Sequence, residues 1–184
     1  MRPQRAYIQQ PWKRMLKTGF LFLTVMAVSC AEQPGERAIQ LTLEGACNGS
    51  YTFRQLQWAR INNPGLPEKS SLGFFTDPLA GDQPLNLAVV LGNLGGKEIQ
   101  TGDYTAVKVS RDIPAFRAGI KQGFMTIVPA GQQPPREEFY TTSGTIKITE
   151  YSSDSLVQGT FSLILANPEG SKWISARGSF RLLL

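Results

Sequence analysis

Two stretches of nine residues near the carboxyl end alternate almost without error, and they constrain the fold more than any other part of the chain. In the first, Val157, Gly159, Phe161, Leu163 and Leu165 share one parity while Gln158, Thr160 and Ser162 take the other; in the second, Ile174, Ala176, Gly178, Phe180 and Leu182 alternate with Ser175, Arg177, Ser179 and Arg181. Successive side chains of a strand point to opposite faces, so each stretch puts one face in a core and the other in water. The turn cluster Asn167-Pro168-Glu169-Gly170-Ser171 separates them. Upstream, Ser152-Ser153-Asp154-Ser155 divides them from an earlier strand, Thr145 to Tyr151, with Ile146 and Ile148 inward. Together they read as an antiparallel meander.

The same period appears where the body of the chain begins: Ile39, Leu41 and Leu43 alternate with Gln40 and Thr42. Leu85 to Leu91 is apolar on both parities, as expected of a central or sandwiched strand. Tyr51 to Trp58, Tyr104 to Val109 and Phe124 to Val128 are further strands, and in the first of these the apolar phase slips between Phe53 and Leu56, as a bulge would make it do. Helix is confined to one turn at Asp112–Arg117, where a cap and Pro114 start it and Gly119 and Gly123 limit it. Loops run from Asn62 to Ser71 and from Gln132 to Pro135. The expected architecture is all-β, an antiparallel sandwich or partly closed barrel of about eight strands.

Charge placement decides which partners are excluded. The chain carries 19 Lys and Arg against 14 Asp and Glu, but Arg2, Arg5, Lys13, Arg14 and Lys17 all precede Cys30 and no acidic residue does. The body beyond is formally neutral, so nucleic-acid binding loses its main physical support. Histidine is absent, which excludes Ser-His-Asp and Cys-His catalysis and removes the commonest metal ligand; Cys30 and Cys47 alone build no zinc site. No catalytic, cofactor or metal residue is assigned, and the chain reads as a non-enzyme.

At the amino end a basic segment precedes nine apolar-leaning residues, Phe20 to Val28, and then small Ser29, the layout of an export signal. The apolar run is short of the ~20 residues a spanning helix needs. Met15 begins a compact signal by itself, so translation starts at Met1 or Met15. Ala27-Val28-Ser29-Cys30 resembles the lipobox of bacterial lipoproteins, with Ala27 standing where that family usually has Leu. The resemblance implies cleavage before Cys30, a diacylglycerol on its thiol and a further acyl chain on its amine; two or three chains make a stable anchor where one is marginal. The alternatives are an ordinary cleavage after Ser29 or Ala31, and a Cys30–Cys47 disulfide, which would exclude lipid on Cys30. The expected organisation is a signal peptide at 1–29, a lipidated cysteine and tether at 30–37, and a single β-domain at 38–184.

Gly102-Asp103-Tyr104, Tyr140-Thr141-Thr142-Ser143-Gly144, Val157-x-Gly159-Thr160-Phe161 and Gly178-Ser179-Phe180 resemble a pattern in small β-domains of bacterial envelope lipoproteins. The resemblance implies location and fold and assigns no catalytic residue. Other features reduce to structure. Gly92 to Lys97 lacks the spacing of a phosphate loop and has Glu98 where a hydroxyl belongs. Asp77 to Asp82 lacks the spacing of a calcium loop. Asn48-Gly49-Ser50 reads as a turn, not a glycan acceptor. Glu137 and Glu138 are adjacent and diverge on an extended chain, whereas Glu150 shares the parity of Ile146 and Ile148 and is the carboxylate whose burial would matter. Trp58, Trp173, Phe74, Phe75 and Tyr51 are core or the lining of a groove for sugar or lipid.

The expected function is a binding or structural module held by lipid at Cys30 to a bacterial envelope membrane, outer or periplasm-facing, with a small-molecule, glycan or protein ligand left open. The alternatives are a barrel that carries a small apolar ligand, and a hydrolase built on Glu150 or Glu137/Glu138, which needs two carboxyls within ~10 Å across a cleft.

Overall fold

The computed structural model describes residues 37–60, 68–76, 84–93, 97–109, 120–130, 137–153 and 155–184. The signal, Cys30 and most of the tether lie outside them, as do the expected turn at Asp112–Arg117, the loop at Gln132–Pro135 and the Asp77–Asp82 segment. Glu36–Leu184 forms one compact unit.

Ten strands make one sheet: β1 Ala38–Gly45, β2 Gly49–Phe53, β3 Leu56–Arg60, β4 Ser71–Thr76, β5 Leu85–Asn93, β6 Gly102–Ala106, β7 Lys121–Pro129, β8 Phe139–Ser152, β9 Leu156–Ala166 and β10 Trp173–Leu183. Their order is β2-β1-β10-β9-β8-β6-β7-β5-β4-β3, with β8 also pairing β7. The two strands at the ends of this order are consecutive in the chain, with only Arg54 and Gln55 between them. The sheet therefore curls back on itself into a nearly closed barrel. Residues 49–60 follow one path whose first half pairs β1 and whose second half pairs β4. The expected strand over Tyr51 to Trp58 is this path, and its phase slip lies at the handover: Tyr51 and Phe53 face inward opposite Leu41 and Ile39, and beyond the slip Leu56, Trp58 and Arg60 take the inward parity opposite Thr76, Phe74 and Leu72.

The meander β8–β9–β10 is antiparallel throughout, as its alternation predicts. On the barrel's other side β6 wedges between β7 and β8, and its pairing with β7 is the sheet's parallel contact. The ladder between β7 and β8 runs through Thr126–Tyr140 and Ile127–Phe139 and then splits around the wedge. At the fork the buried Thr141 hydroxyl accepts from the Met125 amide at 2.8 Å and donates to the Met125 carbonyl at 2.9 Å. A side chain here replaces two ladder bonds that would otherwise leave buried backbone groups unpaired.

The interior is filled. Tyr104, Phe74, Phe139 and Phe180 are completely buried beside Ile39, Leu41, Leu87 and Leu163. Phe74 of β4 and Phe180 of β10 meet across the barrel with ring centroids 5.3 Å apart. Room for these rings comes from glycine: Phe161 lies opposite Gly178 and Phe180 opposite Gly159. A methyl at Gly178 would overlap the Gln40 carbonyl and come within 2.7 Å of Phe161 Cζ.

The structure extends the sequence reading in two places. The loop expected from Asn62 ends at Ser71, where β4 begins, a strand the sequence reading does not assign; its Ser71-Leu72-Gly73-Phe74-Phe75-Thr76 is mostly buried on both parities, so no alternation announces it. β8 runs for 14 residues, from Phe139, because bulges at Thr142 and Thr149 let one strand change phase twice and continue.

Candidate functional site: the amino-rim groove

Register fixes which strand ends share a rim. Ala38 lies beside Arg181, and the same rim carries Arg60, Ser71, Asn93, Gly102, Lys121 and the β8–β9 turn. The chain thus enters the barrel at this amino rim. The far rim carries the β1–β2 and β9–β10 turns and the start of β8.

An open groove of about 700 Å³ lies at the amino rim, between residues 97–101 on one side and Tyr151 and Ser153 on the other. The 97–101 segment is held from beneath. Ile99 is buried in the core and its amide donates to the Lys69 carbonyl at 2.9 Å. The Asn93 side chain donates to the Glu98 carbonyl at 2.7 Å. Tyr104 then pins Gln100: its hydroxyl accepts from the Gln100 amide at 3.0 Å and donates to the Gln100 carbonyl at 2.9 Å. Burial pushes the Tyr104 phenol up to about 12, against a smaller downward pull from its bond to the Gln100 backbone. The hydroxyl therefore remains a neutral structural donor.

Arg60 reaches over the mouth. Its guanidinium donates to the Tyr151 hydroxyl at 3.1 Å and to the Ser153 carbonyl at 2.6 Å, and its Cζ lies 6.0 Å from the centroid of the Trp58 ring, within cation–π range. Lys121 donates to the Thr101 carbonyl at 2.7 Å, with its ammonium 5.8 Å from the Tyr104 ring. Lys97 is exposed on the groove wall. Among the described residues none of these three cations forms an ion pair, and Glu98 is the only carboxylate among the groove's lining residues. Chemically the groove offers the Lys97 ammonium, hydroxyl and amide groups and the Tyr151 ring, while Arg60, with Trp58 against it, and Lys121 are bonded to its lining residues.

The residues singled out from sequence are dispersed. Glu150 does not point inward: the bulge at Thr149 shifts the phase, so Glu150 pairs with Gln158 on the exposed side and Tyr151 takes the inward position opposite Val157. Glu137 and Glu138 sit at the far rim, Glu137 ion-paired to Lys172 at 2.9 Å and Glu138 accepting a hydrogen bond from Tyr140. The hydrogen bond that Lys172 donates to Glu137 and the negative charge of that carboxylate raise the Lys172 pKa. Cys47 is a half-buried free thiol near this pair, held up in pKa by burial and then by Glu137, and so is poorly reactive. Cys30, the expected lipid site, lies outside the described residues. Of the aromatics, Phe74 is core, Tyr51 stacks on Phe53 at 6.3 Å, and Trp58 and Trp173 are exposed at different places on the barrel. Asn48 makes the expected turn, its side chain bonding both the amide and the carbonyl of Gly45 at 3.0 Å.

Sequence reasoning passed over Arg60 and Lys121, weighed Lys97 only within the stretch that lacks phosphate-loop spacing, and took Tyr151 only as a strand end. The usable signal was the phase slip after Phe53, which sets Arg60 on the inward parity.

A barrel of this kind, with a packed interior and an open polar rim, is compatible with a binding or carrier module. No protein-family model, no curated protein and no solved structure matches the chain.

Proposed function

We propose that this protein is a lipid-anchored binding module of a bacterial cell envelope, tethered through Cys30 and presenting its β-barrel at the membrane surface. The observation that carries the reading is the short spacing between a lipobox-like Ala27-Val28-Ser29-Cys30 and a self-contained barrel whose first strand begins at Ala38. Seven residues, Ala31 to Arg37, separate the two. At ~3.5 Å per extended residue they reach about 25 Å, so the barrel stays near the bilayer it is tied to.

The inward aromatics and aliphatics fill the barrel's interior, which favours binding at the open amino rim over carriage of an apolar ligand inside. The carboxylates considered for hydrolysis are occupied or solvated: Glu137 is paired to Lys172, Glu138 is bonded by Tyr140, and Glu150 faces outward on another part of the barrel. The module binds without catalysing.

Metabolic labelling with a fatty acid tests the anchor. Wild-type protein takes up label and partitions with membranes, and Cys30→Ser takes up none. Label retained on Cys30→Ser, or a mature amino terminus whose mass carries no acyl chains, would remove the anchor and with it the membrane placement.

A further inference from the structure

We infer that the amino-rim groove is an anion site that takes the phosphate of a membrane phospholipid headgroup. This rests on the lipid-anchored reading above for its orientation. The groove lies on the rim where the chain enters the barrel, so a short tether ending at Ala38 holds this rim, and not the far one, toward the bilayer.

The chemistry of the rim carries the assignment of charge. Lys97 lines the groove, Arg60 is bonded to its lining residues Tyr151 and Ser153, and Lys121 to its lining residue Thr101; among the described residues no carboxylate forms an ion pair with any of these cations, and Arg60 and Lys121 meet neutral oxygens and ring faces. Arg60 is half-buried and fixed by two hydrogen bonds and an indole, so little side-chain freedom remains to be lost when an anion arrives. A planar guanidinium matches a phosphate with two parallel N–H donors, and an ammonium such as Lys97 adds a point charge. Among the described residues Lys97 and Glu98 of the lining balance each other, and the surplus positive charge comes from Arg60 and Lys121, which are bonded to lining residues. The far rim lacks this character: its described Lys172 is already neutralised by Glu137, with Glu138 beside it. Hydroxyls of Tyr151 and Ser153 and the amide of Gln100 give a glycerol or sugar headgroup further donors and acceptors. Trp58, 38% exposed, provides an apolar contact at the interface where indole rings settle.

The test uses the 36–184 body, which contains every strand pairing and the whole core described above, so that no acyl chain contributes. Its binding is measured by co-sedimentation with phosphatidylcholine vesicles and with vesicles in which part of the lipid is phosphatidylglycerol. The body binds the anionic vesicles, and Arg60→Gln with Lys97→Gln weakens that binding about 30-fold, the factor expected for two cations lost near an anionic surface. A second double variant, Lys147→Gln with Arg177→Gln, removes the same net charge from the exposed barrel wall and leaves binding within about twofold. Lys97→Gln alone serves if the Arg60 variant folds poorly, because Lys97 is exposed and makes no described bond.

Equal loss in both double variants would reduce the effect to net charge, and no loss in either would show that the rim does not bind; each overturns the proposal. Displacement of the body from vesicles by inorganic phosphate alone would make this a site for a free anion and would overturn the membrane assignment. Failure of acylation at Cys30 is read separately, from fatty-acid labelling of the full chain, so loss of the anchor and loss of the rim site are distinguishable.

Discussion

Tyr104→Phe separates what the buried hydroxyl contributes from what the ring contributes. The ring remains in a fully buried position beneath the 97–101 segment, and only one oxygen is removed. That oxygen satisfies both the amide and the carbonyl of Gln100, at 3.0 and 2.9 Å. At about 1 kcal/mol for each such bond, plus part of the penalty for backbone groups left short of partners, the variant is less stable by about 2 kcal/mol near neutral pH. The alkaline limb gives a second signature. The phenol pKa is about 12 in the folded chain against an ordinary 10, so the folded state holds this proton more tightly than the unfolded state. Stability from that preference is complete below pH 10 and is lost as pH climbs from 10 to 12, to a limit of about 3 kcal/mol for two pKa units. Phenylalanine cannot titrate. Urea unfolding of both proteins at pH 7, 9, 10.5 and 11.5, followed by tryptophan fluorescence, is expected to give a ΔΔG of about 2 kcal/mol that shrinks steadily above pH 10 and falls to about zero at the top of the range. Other tyrosines and lysines titrate in both proteins and cancel in the difference. A difference that stays flat across the series would refute the reasoning, because it would mean the hydroxyl is as easily ionised in the fold as in water.

The remaining predictions follow from packing and pairing. Gly178→Ala drives a methyl into the Gln40 carbonyl and against Phe161 at the centre of the β1–β10–β9 ladder, and thermal unfolding should show a loss of about 3 kcal/mol, while alanine at exposed Gly170, which meets no neighbour but sits at a φ of +71°, costs only the backbone strain of about 1 kcal/mol. Thr141→Val keeps the shape but strands the Met125 amide and carbonyl at the β6 fork, for a loss of about 2 kcal/mol that Thr141→Ser largely avoids in the same assay. Glu137→Gln removes the partner that raises the Lys172 pKa, so NMR titration of Lys172 should show its pKa fall, while the urea midpoint should scarcely move because the ammonium is fully solvated.

Strands with one wet face were legible because alternation is their direct imprint, and β1, β9 and β10 show it from end to end. The fold became harder to read where that imprint was missing or broken. β4 is buried on both parities and has no pattern to show, and β8 changes parity at Thr142 and Thr149, so only the portion around Ile146 and Ile148 looked like a strand. Closure of the sheet was implicit in one dipeptide, since a strand whose two halves face opposite neighbours needs the irregularity seen at Arg54–Gln55. The rim groove was least legible. Its cations come from β3, the β5–β6 segment and β7, and Arg60 and Tyr151 are 91 residues apart, a separation that no local pattern records.

The Arg60–Tyr151 bond depends on two separate interruptions of the period-two pattern. Along residues 49–60 the inward positions begin as odd, at Tyr51 and Phe53, and an unbroken strand would turn Arg60 outward; the slip at Arg54–Gln55 turns it in. Along β8 the inward positions around Ile146 and Ile148 are even, and an unbroken strand would bury Glu150 and expose Tyr151; the bulge at Thr149 reverses both. Each interruption leaves its own half of the pair correctly aimed, and neither suffices alone. Thr149 is the extra residue of the second interruption, since Ile148 and Glu150 on either side of it pair with the adjacent Gly159 and Gln158. Deleting it should therefore close the bulge and leave Glu150 outward, Tyr151 inward and the Arg60–Tyr151 bond in place. Thr149→Ala, which keeps the bulge and loses only one exposed 3.2 Å bond to the Gln158 carbonyl, should cost under ~0.5 kcal/mol. Tyr151→Phe, which removes the hydroxyl that accepts from Arg60, should cost about 1 kcal/mol in the wild-type background and the same in the Thr149 deletion, measured by urea unfolding. A cost that vanishes in the deletion background would show that the phase on the far side of the bulge depends on the extra residue being there.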